Sequence, residues 1–185
     1  MGDHKARLKD LLKEHSLMFG EFVLASGQKS NFYFDSKKTT LHAEGARLTA
    51  LAFLDAVRKH DLQAVAIGGM TLGADPIVCP IAALSAAHGC PIDAFIVRKE
   101  AKGHGTSRQI EGNLPEASDV IVIDDVVTTG GSTLRAIEAV EAAGHRVVGV
   151  ICLVDREQGG AEALAKYPFF PLFRRSEIFE SADSR

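Results

Sequence analysis

The stretch that decides the fold is Val120-Ile121-Val122-Ile123-Asp124-Asp125-Val126-Val127-Thr128-Thr129-Gly130-Gly131-Ser132. Four consecutive β-branched apolar residues describe a strand buried on both faces, because a strand with one wet face would alternate apolar with polar. Two carboxylates follow, then hydroxyls and glycines. Over Ser132–Ala143 the apolar residues take helical spacing, and Gly144 closes that helix. A buried strand, a polar glycine-containing turn and a helix make half of a parallel α/β unit.

Outward from that stretch the same alternation recurs. Leu62–Ile67 reads as a strand ending at Gly68-Gly69, Thr71–His88 as a helix in spite of Pro76 and Pro80, and Ile92–Val97 and Val147–Val154 as two more strands. Phe169–Phe173 reads as a final edge strand, the one position in a sheet where Pro171 is tolerated. Upstream, Leu8, Leu11 and Leu12 put a short amphipathic helix over His4–His15, and helical spacing returns over Glu44–His60. Between these helices Phe22, Leu24, Phe32 and Phe34 alternate about Ser26-Gly27-Gln28-Lys29-Ser30, which predicts two short strands capping the sheet edge. The expected architecture is α/β: one domain over residues 1–185, a doubly wound, mostly parallel sheet, with residues 1–40 as an N-terminal hood.

Composition narrows the function. With 185 residues, 46% of them hydrophobic, the chain can bury a core without a disulfide or a structural metal. Cys79, Cys90 and Cys152 are odd in number and lack CxxC spacing, so they are expected to be reduced, buried and not metal-binding. A net charge of -3 offers no general attraction to nucleic acid or anionic lipid. The longest uncharged stretch, between Asp75 and His88, is broken by Pro80 and Ser85 and is too short to span a bilayer. No apolar leader follows Met1, and the expectation is a cytoplasmic protein with neither nucleic-acid nor membrane partners.

Any anion must therefore meet a local site. In open α/β sheets ligands sit beyond the carboxyl ends of the strands, and a helix N-terminus presents unpaired amides to a phosphate. Thr128, Thr129, Gly130, Gly131 and Ser132 have the composition of such a cradle, with Val126 and Val127 leading into it. Adjacent carboxylates would repel a phosphate at contact, so Asp124 and Asp125 are suited to sugar hydroxyls, and the implied ligand is a ribose phosphate. No GxxxxGK[ST] occurs, which argues against a P-loop triphosphatase. Arg98–Pro115 lacks apolar periodicity and reads as one long loop. Within it Arg98, Lys99, Lys102 and Arg108 outnumber Glu100, and Gly103 and Gly105 leave it free to close over a polyanionic leaving group, with His104 able to add a charge.

The Asp-Asp-Val-Val-Thr-Thr-Gly-Gly-Ser segment resembles the phosphoribosyl-pyrophosphate signature of type I phosphoribosyltransferases. Arg98-Lys99-Glu100-Ala101-Lys102-Gly103-His104-Gly105 is similar to the catalytic loop of orotate phosphoribosyltransferases. Phe22–Asp35 resembles that family's N-terminal Ser-Gly segment, and Leu153-Val154-Asp155-Arg156 its later strand end. The resemblance implies transfer of a phosphoribosyl group from phosphoribosyl pyrophosphate to orotate, in pyrimidine biosynthesis. It implies Asp124 and Asp125 on the ribose, Thr128–Ser132 on the 5-phosphate, and Thr128 and Arg156 beside orotate. It further implies a homodimer in which Arg98, Lys102 and His104 reach the neighbouring subunit's pyrophosphate while Lys99 serves its own site. Magnesium (Mg2+) would accompany the substrate's oxygens, with no metal site built from protein ligands. The chain departs from part of the family at Ala25 and at Leu72-Gly73, where other members carry lysines. Lys37 is the favoured replacement cation, and the backbone of Gly68–Gly73 could hold pyrophosphate through its amides. A phosphoribosyltransferase for another base, and a non-catalytic phosphoribosyl-pyrophosphate sensor, are the competing readings.

Overall fold

The computed structural model describes residues 3–23, 29–100 and 109–179, and it puts the Val120–Val127 stretch near the middle of the sheet. In chain order the elements are α1 (Asp3–Leu11), a π-helical turn (Leu12–Ser16), β1 (Leu17–Val23), β2 (Lys29–Phe34), α2 (Lys37–Thr40) and α3 (Ala43–Lys59). Then come β3 (Ala66–Met70), α4 (Asp75–Ala87), β4 (Asp93–Val97), β5 (Ile110–Gly112), β6 (Asp119–Val127) and α5 (Gly131–Ala142). The last are β7 (Arg146–Asp155), α6 (Gly160–Ala163), β8 (Phe169–Arg174) and α7 (Arg175–Phe179).

The main sheet runs β5-β4-β3-β6-β7-β8; β4, β3, β6, β7 and β8 are parallel, and only β5 is antiparallel to its neighbour. Val120, Ile121, Val122 and Ile123 are all fully buried. Ile121 and Ile123 join a core with Leu48, Phe53, Ile77 and Ile81 of α3 and α4, while Val120 and Val122 join a second with Ala136, Ile137 and Val140 of α5. That two-sided covering is the reason the strand reads as an unbroken apolar run. The edge strand holding Pro171 is β8, as its sequence required.

Several boundaries differ from the sequence reading. The chain leaves α3 through Asp61 in the left-handed region, so β3 begins at Ala66 rather than Leu62 and carries Gly68 and Gly69 inside the ladder. These two glycines serve close packing: a Cβ on Gly68 would stand 2.4 Å from the Phe95 ring, and one on Gly69 2.0 Å from the Ile123 carbonyl oxygen. Asp124 and Asp125 likewise lie within β6, which runs on to Val127, instead of beyond its end. The segment read as one loop over Arg98–Pro115 contains β5, paired in register Val97↔Ile110 with β4. Helix α4 starts at Asp75, with Pro76 in its first turn where no intrahelical partner is lost. Of the cysteines expected to be buried only Cys152 is; Cys79 and Cys90 are exposed because α4 and its C-terminal turn present them outward.

The hood is an antiparallel pair, Leu17↔Phe34 through Val23↔Lys29. It is seated between α7, against whose Phe179 ring Phe32 and Phe34 pack at 5.1 and 5.3 Å, and the carboxyl end of β6, which Ser36 touches. Phe179 and Ile178 are fully buried, so the C-terminal helix closes the core under the hood. Among the described residues no helix is long and apolar enough to cross a membrane.

Candidate active site

The site forms at the carboxyl ends of β3, β6 and β7. Asp124 is 5% exposed. Its Oδ2 accepts from Ser132 Oγ at 2.8 Å and Thr133 Oγ1 at 2.7 Å, and its Oδ1 from the Asp125 amide at 3.0 Å. Burial first, and the neighbouring Asp125 charge second, push its carboxyl up to about 7, against the pull of the two hydroxyls. Asp124 therefore turns its acceptors toward the loop and the start of α5. Asp125, half-buried, accepts from the Val126 amide at 3.0 Å and from the Ser36 hydroxyl. The two carboxylates assigned one role in the sequence have different surroundings.

Past Val127 the chain turns through Thr128, Thr129 and Gly130. Gly130 has φ +81°, a left-handed conformation that lets the next residue enter α5 directly. The first amides of α5 and its positive dipole end face the turn, while the Ser132 hydroxyl is engaged with Asp124. Gly160 of α6 supports the turn from behind, where a Cβ would meet the Thr128 carbonyl oxygen at 3.0 Å.

A second turn, Thr71–Ala74, lies against the Asp124–Asp125 pair. Thr71 donates its amide to the Val97 carbonyl at 2.9 Å and Ala74 to that of Met70 at 3.1 Å. The amides of Leu72 and Gly73 make no hydrogen bond to the described backbone. The amide nest anticipated over Gly68–Gly73 thus contracts to this turn, because Gly68 and Gly69 are committed to the sheet. Gly73 lies against Asp125, where a Cβ would be 2.4 Å from Oδ1.

Arg156 follows β7, and its amide donates to the Val127 carbonyl at 2.8 Å, which sets it beside Thr128. Its Nε is buried without a partner among the described residues. Burial, and then the charge of Arg175, lower its pKa. Arg175, at the start of α7, lies 5.9 Å from the Phe32 ring and 5.8 Å from that of Phe179. The apolar pair Ile178-Phe179 is the signal in the sequence that α7 docks, and both side chains are fully buried.

Arg98 and Lys99 are set apart from this group. With Thr71, Asp75, Ile96, Glu100 and Glu111 they line a cavity of about 580 Å³, and Arg98 Nη1 is 3.7 Å from Glu111 Oε1. Asp75 accepts there from Thr71 Oγ1 at 2.7 Å. Lys37 pairs with Asp35 at 2.8 Å, and that hydrogen bond above all raises its pKa, with Asp125 contributing. Lys102, His104, Ala25 and the Ser-Gly pair lie outside the described residues.

A mostly parallel sheet whose central strand ends in a carboxylate pair, an amide-lined turn and a helix start defines a phosphoribosyltransferase, and residues 75–171 match the family model described as the phosphoribosyl transferase domain. The orotate phosphoribosyltransferase of Nostoc sp. is 52% identical over 159 residues, 85% of this chain and 76% of that protein. The crystal structure of the Mycobacterium tuberculosis orotate phosphoribosyltransferase with Fe(III) dicitrate superposes with a TM-score of 0.85 at 37% identity, covering 95% of this chain and 98% of that one. The same protein in complex with phosphoribosyl pyrophosphate superposes with a TM-score of 0.80 at 33% identity, with the same coverage. The chain belongs to the orotate phosphoribosyltransferase family.

Proposed function

We propose that this chain transfers the phosphoribosyl group of phosphoribosyl pyrophosphate to orotate, yielding orotidine 5'-monophosphate and pyrophosphate in pyrimidine biosynthesis. The observation that carries the choice of base is Arg156. A guanidinium nitrogen buried without a partner among the described residues calls for an anion, and the backbone amide of the same residue is bonded to the Val127 carbonyl, where the phosphate-type turn begins. Orotate brings a carboxylate to that place; a neutral purine does not.

The chain's part in the reaction is positioning and charge compensation. Asp125 accepts the ribose hydroxyls, and Asp124, through Ser132 and Thr133, keeps the 128–132 turn in shape for the 5-phosphate. The amides of Leu72 and Gly73 receive pyrophosphate oxygens, a role that needs no lysine at these positions. Attack of a ring nitrogen of orotate on C1 displaces pyrophosphate through a sugar of oxocarbenium character. Arg98, Lys102 and His104 of a second subunit, with Lys99 of the same one, neutralise the departing charge. Leu72, 70% exposed in the second site turn, and Leu41, 71% exposed at the end of α2, are available to that subunit.

The donor set here is hydroxyls, amides and one half-exposed carboxylate, which suits a magnesium ion held mainly by substrate oxygens and water. When bound, that ion lowers the charge of the pyrophosphate. The reaction is assigned to the cytoplasm.

The test is the loss of orotate's ultraviolet absorbance on mixing protein, orotate, phosphoribosyl pyrophosphate and magnesium. A metal-dependent decline is expected. No decline, in folded protein that binds phosphoribosyl pyrophosphate, would overturn the proposal, and a panel of other bases would then identify the accepted one.

A further inference from the structure

Ser36 stands at the N-cap of α2, where a serine side chain ordinarily accepts a hydrogen bond from an amide of its own helix. Here it makes no such cap. Asp35 Oδ1 accepts the Lys37 amide at 3.1 Å, and the Ser36 carbonyl accepts the Thr39 and Thr40 amides at 2.9 Å each. The local backbone is thereby served without the Ser36 hydroxyl. That hydroxyl, on a residue 1% exposed, is turned away from its helix and donates to Oδ2 of Asp125, 89 residues along the chain.

The effect on Asp125 follows from counting acceptors. A carboxylate has two acceptor positions on each oxygen. Oδ1 uses one on the Val126 amide at 3.0 Å, and Oδ2 uses one on Ser36. Each oxygen thus has one fixed donor and a second position open to a hydroxyl, the neighbouring Asp124 carboxyl being the protein group that competes for one of them. With Gly73 close against Oδ1, the carboxylate has a fixed donor on each oxygen and a wall on one side, so its orientation is set before any ligand arrives. Lys37, the cation favoured from the sequence, is engaged with Asp35 and contributes only at longer range.

We infer that Ser36 is a positioning residue for sugar binding: from the end of the hood it holds the Asp125 carboxylate in the orientation that accepts a vicinal diol. This rests on the reading of Asp125 as the ribose acceptor, so the experiment separates the two. Affinity for phosphoribosyl pyrophosphate with magnesium is measured by calorimetry, and kcat and both KM values by the absorbance assay, for the wild type, Ser36→Ala, Ser36→Cys, Asp125→Asn and Ser36→Ala/Asp125→Asn. Cysteine nearly preserves the volume of serine while being a weak donor, so it reports the lost hydrogen bond even where alanine disturbs packing.

Both Ser36 variants should weaken binding of phosphoribosyl pyrophosphate about tenfold, at the lower end for a hydrogen bond to a charged group, and raise its KM alike. The KM for orotate should change by less than about twofold, and the effect of Ser36→Ala should vanish once Asp125 is asparagine. If Asp125→Asn weakens binding while the Ser36 variants do not, or if the Ser36 effect is equal in both backgrounds, Ser36 does not position Asp125. If Asp125→Asn leaves binding unchanged, the ribose role of Asp125 fails first and the inference with it.

Discussion

Replacing Asp124 with asparagine should move the stability difference between variant and wild type in favour of the variant as pH rises. The native carboxyl is raised from 3.8 to about 7, chiefly by burial and then by Asp125. Between these values the native state holds a proton that the unfolded chain has released, so stability is fully present below the unfolded pKa and declines as pH rises through the native one. From about pH 5 to about pH 8 the decline spans roughly two pKa units, or about 3 kcal/mol at 1.36 kcal/mol per unit. Asparagine cannot ionise. Its carbonyl and amide can still serve the hydroxyls of Ser132 and Thr133, which donate and accept alike, so any mismatch adds an offset that does not vary with pH. Urea unfolding at several pH values, at one protomer concentration, gives the difference in unfolding free energy between variant and wild type, in which the titrating groups other than the Asp124–Asp125 pair cancel. The chain has no tryptophan, so circular dichroism is the probe. The difference should move in favour of the variant by about 3 kcal/mol between about pH 5 and about pH 8. A difference that stays constant to within about 0.5 kcal/mol, or that moves the other way, would refute the account of Asp124.

Other outcomes follow from the same geometry. Gly73→Ala would put a Cβ 2.4 Å from Asp125 Oδ1 and force the carboxylate aside. Turnover per KM for phosphoribosyl pyrophosphate should drop on the order of a hundredfold with little change in melting temperature, and retained activity would count against the close approach. Arg156→Lys keeps the charge but loses the planar fork, so the KM for orotate should rise at least about tenfold while phosphoribosyl-pyrophosphate binding holds; the reverse pattern would move Arg156 out of the base pocket. Lys102→Ala and Asp125→Asn should each abolish most activity alone, and mixing the two proteins should recover part of it in hybrid dimers. Absence of recovery, with subunit exchange shown, would mean that the loop serves its own subunit.

What was legible in the sequence was what neighbours along the chain control. The run Val120–Ile123 declares a strand covered on both faces because alternation is lost only when both faces are buried, and the hydroxyls and glycines after it declare a turn into a helix. The loop composition at Arg98–Arg108 and the signature at Asp124–Ser132 pointed to the family for the same reason: each is a contiguous stretch whose chemistry is local. Strand limits at the glycines were not legible. Gly68 and Gly69 look like a strand end until Phe95 and the Ile123 carbonyl are brought against them, and only that contact explains why no side chain fits. Nor was the difference between two adjacent aspartates legible, since it arises from Ser132 and Thr133 on one side and Ser36 on the other. Arg175 reaches the vicinity of Arg156 only because Ile178 and Phe179 bury themselves beneath the hood. Periodicity and turn chemistry are short-range properties and can be read along the chain, whereas the environment of each polar group in the site is assembled from segments far apart in it, and packing alone decides which of them meet.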